Sequence, residues 1–350
     1  VLMRRRSFKN RKPLLVSGTG GIIKSGTGTV WFNNSVSGAN SYTGSTTINA
    51  GILRSDTAEN IPNTSAVTVN SPGSFLNGAA ETIAQISGDG TLGGPTLTVG
   101  TNNQSTTFSG FSNGLNKVGS GTLDHAGTYT TGGITAHEGI LNLKGTTNLI
   151  SVVQIDSGAT LDISNTANLD NGNVGYFADI NSTGGTLSIG AHGTGNVRGG
   201  SITLDTNSHF VVNIAGSADG EFSHYVDNSA DFSGTPITLD GTLDIHLLNG
   251  YIPSTGTSLT IIQNDSINGS TGGVFSNLPN DGDTIIVDGV TFSINYHGGA
   301  TLNDVILTPV GLEVAVTDTH DSPGDPVAID QPLTYTATIT NNSLATARDR

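Results

Sequence analysis

The sequence predicts an all-β chain wound as a parallel β-helix, or solenoid, and three observations carry that prediction. Helix-forming charged residues are scarce, apolar residues alternate with polar ones in short glycine-bounded runs, and one glycine-rich unit occurs twice.

Charged residues make up 12% of the 350 positions, against roughly 25% in an ordinary globular domain. The whole chain holds five Glu and five Lys, the residues that exposed helix faces normally draw on. Glycine fills 49 positions, about twice its usual share of roughly 7%. Thr, Ser, Val, Ile and Asn supply most of the rest, which suits short strands joined by tight turns.

The alternation is clean where it can be checked. Leu97 and Val99 share a face, as do Leu161 and Ile163, Ile202 and Leu204, then Phe210, Val212 and Ile214, and Leu243, Ile245 and Leu247. A period of two marks half-buried strands. A sandwich or barrel would also show it; the internal repeat decides for the solenoid. "GIIKSGTGTVWF…NSYTGSTTINAGILRS" (21–55) aligns with "GLNKVGSGTLDH…GTYTTGGITAHEGILNLKG" (114–145). Gly-x-x-Lys-x-Gly-x-Gly-Thr opens both, Tyr-Thr follows (Tyr42-Thr43, Tyr129-Thr130), and Gly-Ile-Leu closes (Gly51 to Leu53, Gly139 to Leu141). A unit this short buries no apolar face alone, whereas stacked units share a continuous core and line up outward Thr and Asn in ladders.

These two stretches resemble the autotransporter-associated beta strand repeat of bacterial surface proteins. The linking 75–111 is similar to the spacer between such repeats. The first copy departs from the pattern with "WFNNSV" (31–36), and the second lacks Ala-Asn before Tyr129. The resemblance implies a right-handed solenoid projecting from the cell surface. It also implies an extracellular or surface location, attached to the outer membrane through regions outside this chain.

Four segments are expected. Residues 1–20 form a basic, disordered start; 21–175 a β-solenoid with the repeat copies near 21–55 and 114–145; 176–310 further rungs and a C-terminal cap. Residues 311–350 read as the truncated start of an Ig-like sandwich. In that last segment Leu333, Tyr335, Ala337 and Ile339 alternate with threonines, which resembles the opening strands of the bacterial Ig-like conserved-repeat module known as domain of unknown function 11. A sandwich of that type needs about 100 residues, so the native protein is expected to continue past Arg350. The stretch "MRRRSFKNRKPLLVSG" has the basic region of a signal peptide, but its apolar Leu14 to Val16 is too short for the rest.

Charge narrows the partners. Six of the 13 basic residues lie in the first twelve positions; from Pro13 onward 28 acids face seven bases, a net of −21. Such a body repels nucleic acid and anionic lipid. No run of ~18 apolar residues is present to span a membrane as a helix. Cysteine is absent, as suits an oxidising compartment where thiols would mispair.

The search for chemistry yields candidates and no assignment: the reading is catalytic residues none, cofactor-binding residues none, metal ligands none. Asp156, Asp162, Asp170 and Asp179 fall within 24 residues and would be the carboxylates of a β-helix polysaccharide lyase or hydrolase, with Lys144 and Arg198 the nearby cations. The plainer reading places them at turns and solvated strand positions. Asp124-His125 and His137-Glu138 set imidazoles beside acids, but neighbours on a strand point to opposite faces. Solvated surface histidines are the expectation there. His192, His209, His224, His246, His297 and His320 show no metal spacing. "HGGATLNDVIL" (297–307) is a degraded calcium-turn pattern, which leaves calcium at Asp304 the one cofactor to test. The functional expectation is a noncatalytic stalk or adhesin-like passenger that meets glycans, other cells or matrix through repeated contacts. The alternatives are a carbohydrate-active enzyme and a self-associating surface or biofilm component.

Overall fold

The computed structural model describes residues 15–32, 40–129, 132–145, 152–163, 178–190, 193–227, 237–265, 271–318 and 335–341. All of its regular structure is β. The chain advances in coils of short strands, and each strand pairs in parallel with its counterpart one coil later. Three sheets build the wall. The first has eleven strands, from Ile22–Lys24 to Thr242–Leu247. The second has six, from Thr29–Phe32 to Thr128–Tyr129, and the third has nine, from Glu81–Ile83 to Thr271–Gly272. A coil takes the third face, then the first, then the second. From Gly195–Gly199 onward another sheet takes the second face's place in that order.

Residue spacing between parallel paired strands runs from 16 (Glu81 to Leu97) to 37 (Tyr225 to Ile262). The strands are short because a glycine corner follows within a few residues. Alternation decides what lies inside. On the first face Leu123, Leu141, Leu161, Leu187, Phe210 and Leu243 stack in one inward column, all fully buried. On the third face Leu115, Ile134, Val153, Ile180 and Ile202 do the same. Each such side chain stabilises the fold by about 1.5–3 kcal/mol through burial. Parallel stacking follows from the coiling, since every turn of chain brings the next strand past in the same direction.

The far end is closed by a different geometry. Leu259–Asn264 pairs antiparallel with Asp304–Val310, which pairs with Val290–Gly298, and that with Thr284–Val287. Phe275 enters the core and stacks on Phe210 with ring centroids 6.0 Å apart. Two residues on, Asn277 covers the last strand of the first face: its Oδ1 accepts the Leu243 N–H at 3.0 Å and its Nδ2 donates to the Leu243 carbonyl at 2.9 Å. One side-chain amide thus stands in for a further strand. Tyr296 fixes this loop, its hydroxyl accepting the Phe275 N–H (3.0 Å) and donating to the Leu278 carbonyl (2.7 Å).

Beyond the cap, Leu312–Asp318 and Tyr335–Asn341 form an antiparallel pair. The rest of the expected Ig-like segment, including Leu333 and His320, lies outside the described residues, as do residues 1–14.

Candidate functional site

Of the four aspartates singled out by the sequence, the three described ones do not gather. Asp156 ends the third-face strand Val153–Asp156, where its Oδ2 meets His137 Nδ1 at 2.6 Å and its Oδ1 accepts Gln154 Nε2 at 3.3 Å. Asp162 sits on the first face, in Ala159–Ile163, and is buried although its strand position points outward. Asp179 caps a corner, accepting the Ser201 N–H at 2.9 Å and its hydroxyl at 3.0 Å. Asp170 lies outside the described residues. Of the two cations, Lys144 is engaged by Asp124 at 2.9 Å, and exposed Arg198 lies in Gly195–Gly199.

Histidines pair with acids across coils rather than along the chain. His137 takes Asp156, nineteen positions on, rather than its neighbour Glu138. His209 meets Asp244 at 2.7 Å, and His297 meets Asp281 at 2.5 Å. These three pairs stand part-exposed at separate places on the wall and the cap. His246 is exposed on Thr242–Leu247. His192 lies outside the described residues.

His125 corrects the expectation of a solvated surface imidazole. It occupies an inward position between Phe108 and Leu143 in the first-face column and is fully buried. Its ring centroid is 3.8 Å from that of Tyr129 and 5.5 Å from that of Phe108, and Nε2 lies 2.9 Å from Ser112 Oγ. Burial pushes its pKa down to about 3, so the ring is neutral at physiological pH. The signal was in the sequence: Leu123 points inward, so the residue two further on must do so too. His224 is half-buried. Burial lowers its pKa, against the opposing pull of Asp219, Asp304 and Asp265 and a hydrogen bond with Gln263.

Asp304, the calcium candidate, accepts the Asn264 N–H at 2.9 Å through Oδ1, and burial raises its pKa. Among the described residues no three His, Asp or Glu side chains gather as metal ligands.

What the fold does assemble is a column. Outward on the third face stand Thr82, Thr98, Asn116, Thr135, Gln154, Asn181, Thr203 and Thr238, one from each of eight successive coils. All are polar and uncharged, and adjacent ones stand about 4.8 Å apart, the strand spacing of a sheet. The column therefore offers hydroxyls and amides at a fixed interval over roughly 34 Å. Its chemistry is hydrogen bonding without charge.

The family model of the passenger-associated transport repeat matches residues 22–54, the first of the two copies. No curated protein matches the chain. No described helix is long and apolar enough to cross a membrane.

Proposed function

We propose that this chain is a section of a noncatalytic bacterial surface protein, an autotransporter-type passenger stalk that makes repeated weak contacts along its length. The uninterrupted stack of coils carrying one uncharged polar column is the observation that carries the reading, and the repeat match at 22–54 supports it. Each Thr, Asn or Gln would contribute little alone. Eight on one rigid wall gain avidity because the first contact raises the effective concentration for the next. The partner class is neutral glycan, on other cells or in matrix, since the acidic body repels anionic polymers.

The test has two arms. An epitope tag placed in this segment should be accessible to antibody on intact source cells. Labelling that appears only after permeabilisation rejects the surface reading. On an array of immobilised polysaccharides the chain should bind neutral members, and a double Thr135→Lys, Gln154→Lys variant should lose most of that binding. Unchanged binding by the variant removes the column from the mechanism.

Self-association is the second reading, favoured by the first coil. Ser17–Gly18, Ile22–Lys24 and Thr29–Phe32 each end a sheet, and Ile23 and Trp31 are 59% and 42% exposed there. Among the described residues these edges carry no further strand, and strand edges beside apolar side chains pair readily with other strands. Sedimentation velocity showing monomer alone over a hundredfold concentration range would reject it.

A further inference from the structure

The two repeat copies are built on the same contact, made at different places around the wall. Lys24 ends the first-face strand Ile22–Lys24, and Lys117 ends the third-face strand Leu115–Lys117. Both lysines are buried, at 6% and 1% exposure. Lys24 Nζ donates to the carbonyl of Gly26, two residues on, and to that of Ala50 (2.7 Å) in the next coil. Lys117 Nζ donates to the carbonyls of Gly119 (2.6 Å), again two residues on, Val118 (2.8 Å), and Glu138 (3.2 Å) in the next coil. Ala50 and Glu138 are equivalent: each immediately precedes the glycine of Gly-Ile-Leu.

That glycine completes the contact. Gly51 and Gly139 have φ of +68° and +65°, the left-handed region that glycine alone enters without strain. A Cβ on Gly51 would lie 2.4 Å from the Gly26 carbonyl oxygen, 2.5 Å from that of Gly28 and 2.7 Å from Lys24 Nζ. One on Gly139 would lie 2.4 Å from the Gly119 oxygen and 2.6 Å from that of Gly121. The backbone agrees as well, with Asn49 N–H on the Lys24 carbonyl and His137 N–H on that of Lys117, both at 2.8 Å.

We infer that Lys24 and Lys117 are coil locks: each ammonium ties the glycine corner of its own coil to the corner of the next and fixes which residue stacks on which. The repeat signature is the signature of this device. Lysine supplies the charged donor, the Gly-x-Gly turn its own carbonyls, and the residue before Gly-Ile-Leu the carbonyl one coil on. Hydrogen bonds from a charged donor are stronger than neutral ones, and their loss here would leave several carbonyls unsatisfied inside a corner. The lock works on either face because the corners have the same local form. An inward chain of aliphatic residues lacks this specificity, since neighbouring Leu and Ile exchange contacts at little cost.

The test is acylation of the full chain with an N-hydroxysuccinimide acetate, read lysine by lysine by mass spectrometry. Lys24 and Lys117 should react at least tenfold more slowly than Lys144, whose side chain is 40% exposed. Gly139→Ala should raise labelling of Lys117 at least tenfold and leave Lys24 unchanged; Gly51→Ala should do the reverse. A wild-type Lys24 or Lys117 reacting at the Lys144 rate overturns the inference. So do glycine variants that fold yet release both lysines, or neither. Where a variant does not fold, the wild type decides through a denaturant series. Lys117 must become reactive together with exchange of the Ile134–Leu143 amides, and release of Lys117 ahead of those amides overturns the lock.

Discussion

The coils from Ile22 to Leu143 and those from Val153 onward share one strand order but fill their interiors differently. In the first set Lys24, Glu81, Lys117 and His125 are all buried; Glu81 stands in a column with Leu97, Leu115 and Ile134, Lys117 lies between Val99 and Ala136, and His125 lies between Phe108 and Leu143. Glu81 accepts hydrogen bonds from Ser55 Oγ (2.8 Å), Ile61 N–H (2.7 Å) and Asn60 N–H (3.2 Å), closing a corner as the lysines do. In the second set the His125 column holds Ile163 and Ile189 and the Glu81 column holds Ile180 and Ile202, and the ionisable residues mostly face outward, as in the His209–Asp244 pair. Buried Asp227 is an exception. The division is thus one of ionisable groups: the first set places lysine, glutamate and histidine inside the coil, and the second fills the matching positions mainly with apolar area.

The largest effect should come from the apolar half. Phe275→Ala removes the ring that closes the core over Phe210 and should cost about 3–5 kcal/mol by urea unfolding. Amide exchange should quicken from His209 onward and stay unchanged before Leu143. Equal quickening in both sets would merge them into one cooperative unit and break the division.

The acid response of His125 comes next. Its pKa is about 3 when folded and about 6.5 when unfolded, so the unfolded state binds more protons between those values. Its contribution is therefore whole above pH 6.5 and lost as pH falls toward 3, by at most about 5 kcal/mol. Amides of Thr122–Leu143 should lose protection over that window, and His125→Phe should abolish the loss. A variant as acid-sensitive as the wild type would sink this prediction.

Glu81 responds with the opposite sign. Burial raises its pKa from 4.5 to about 7, so the folded state holds the extra proton. Its contribution is whole below pH 4.5 and lost as pH rises through 7, by at most about 3 kcal/mol. Glu81→Gln should flatten that slope for amides of Ala66–Ile83. The two residues oppose one another between pH 4.5 and 6.5, so each single variant should expose the other's slope. Absence of any slope in either variant would mean that the charges are relieved by local opening.

The smallest effect belongs to the outward column. Thr203→Ala should change stability by less than about 0.5 kcal/mol in the same unfolding assay, because an exposed threonine has little to lose. A loss above about 1.5 kcal/mol would make the column a structural ladder rather than a contact surface.

Much of this was legible from single residues. The alternation that pairs Leu161 with Ile163 and Phe210 with Val212 and Ile214 predicts the buried set correctly, since neighbouring side chains on a strand must point to opposite faces. Leu247 is only half-buried, because it ends its strand where the wall opens to the following turn. The same alternation applied to Leu123 places His125 inside, against the general preference of histidine for solvent. Asp156 and His137 could not be paired from the sequence: they belong to successive coils, and corners of differing length make the coils vary between 16 and 37 residues.

By itself, then, the sequence determined the local choices: strand over helix, inward against outward, and a glycine at most of the turns needing positive φ. Those follow from backbone sterics and a period of two, which act within a few residues. Only the tertiary structure decided which coil lies against which. It alone revealed that the second repeat copy is rotated by one face, so that Lys24 and Lys117 lock different corners in the same way. Contacts between coils join residues some twenty positions apart, and their identity depends on the summed lengths of every corner between them.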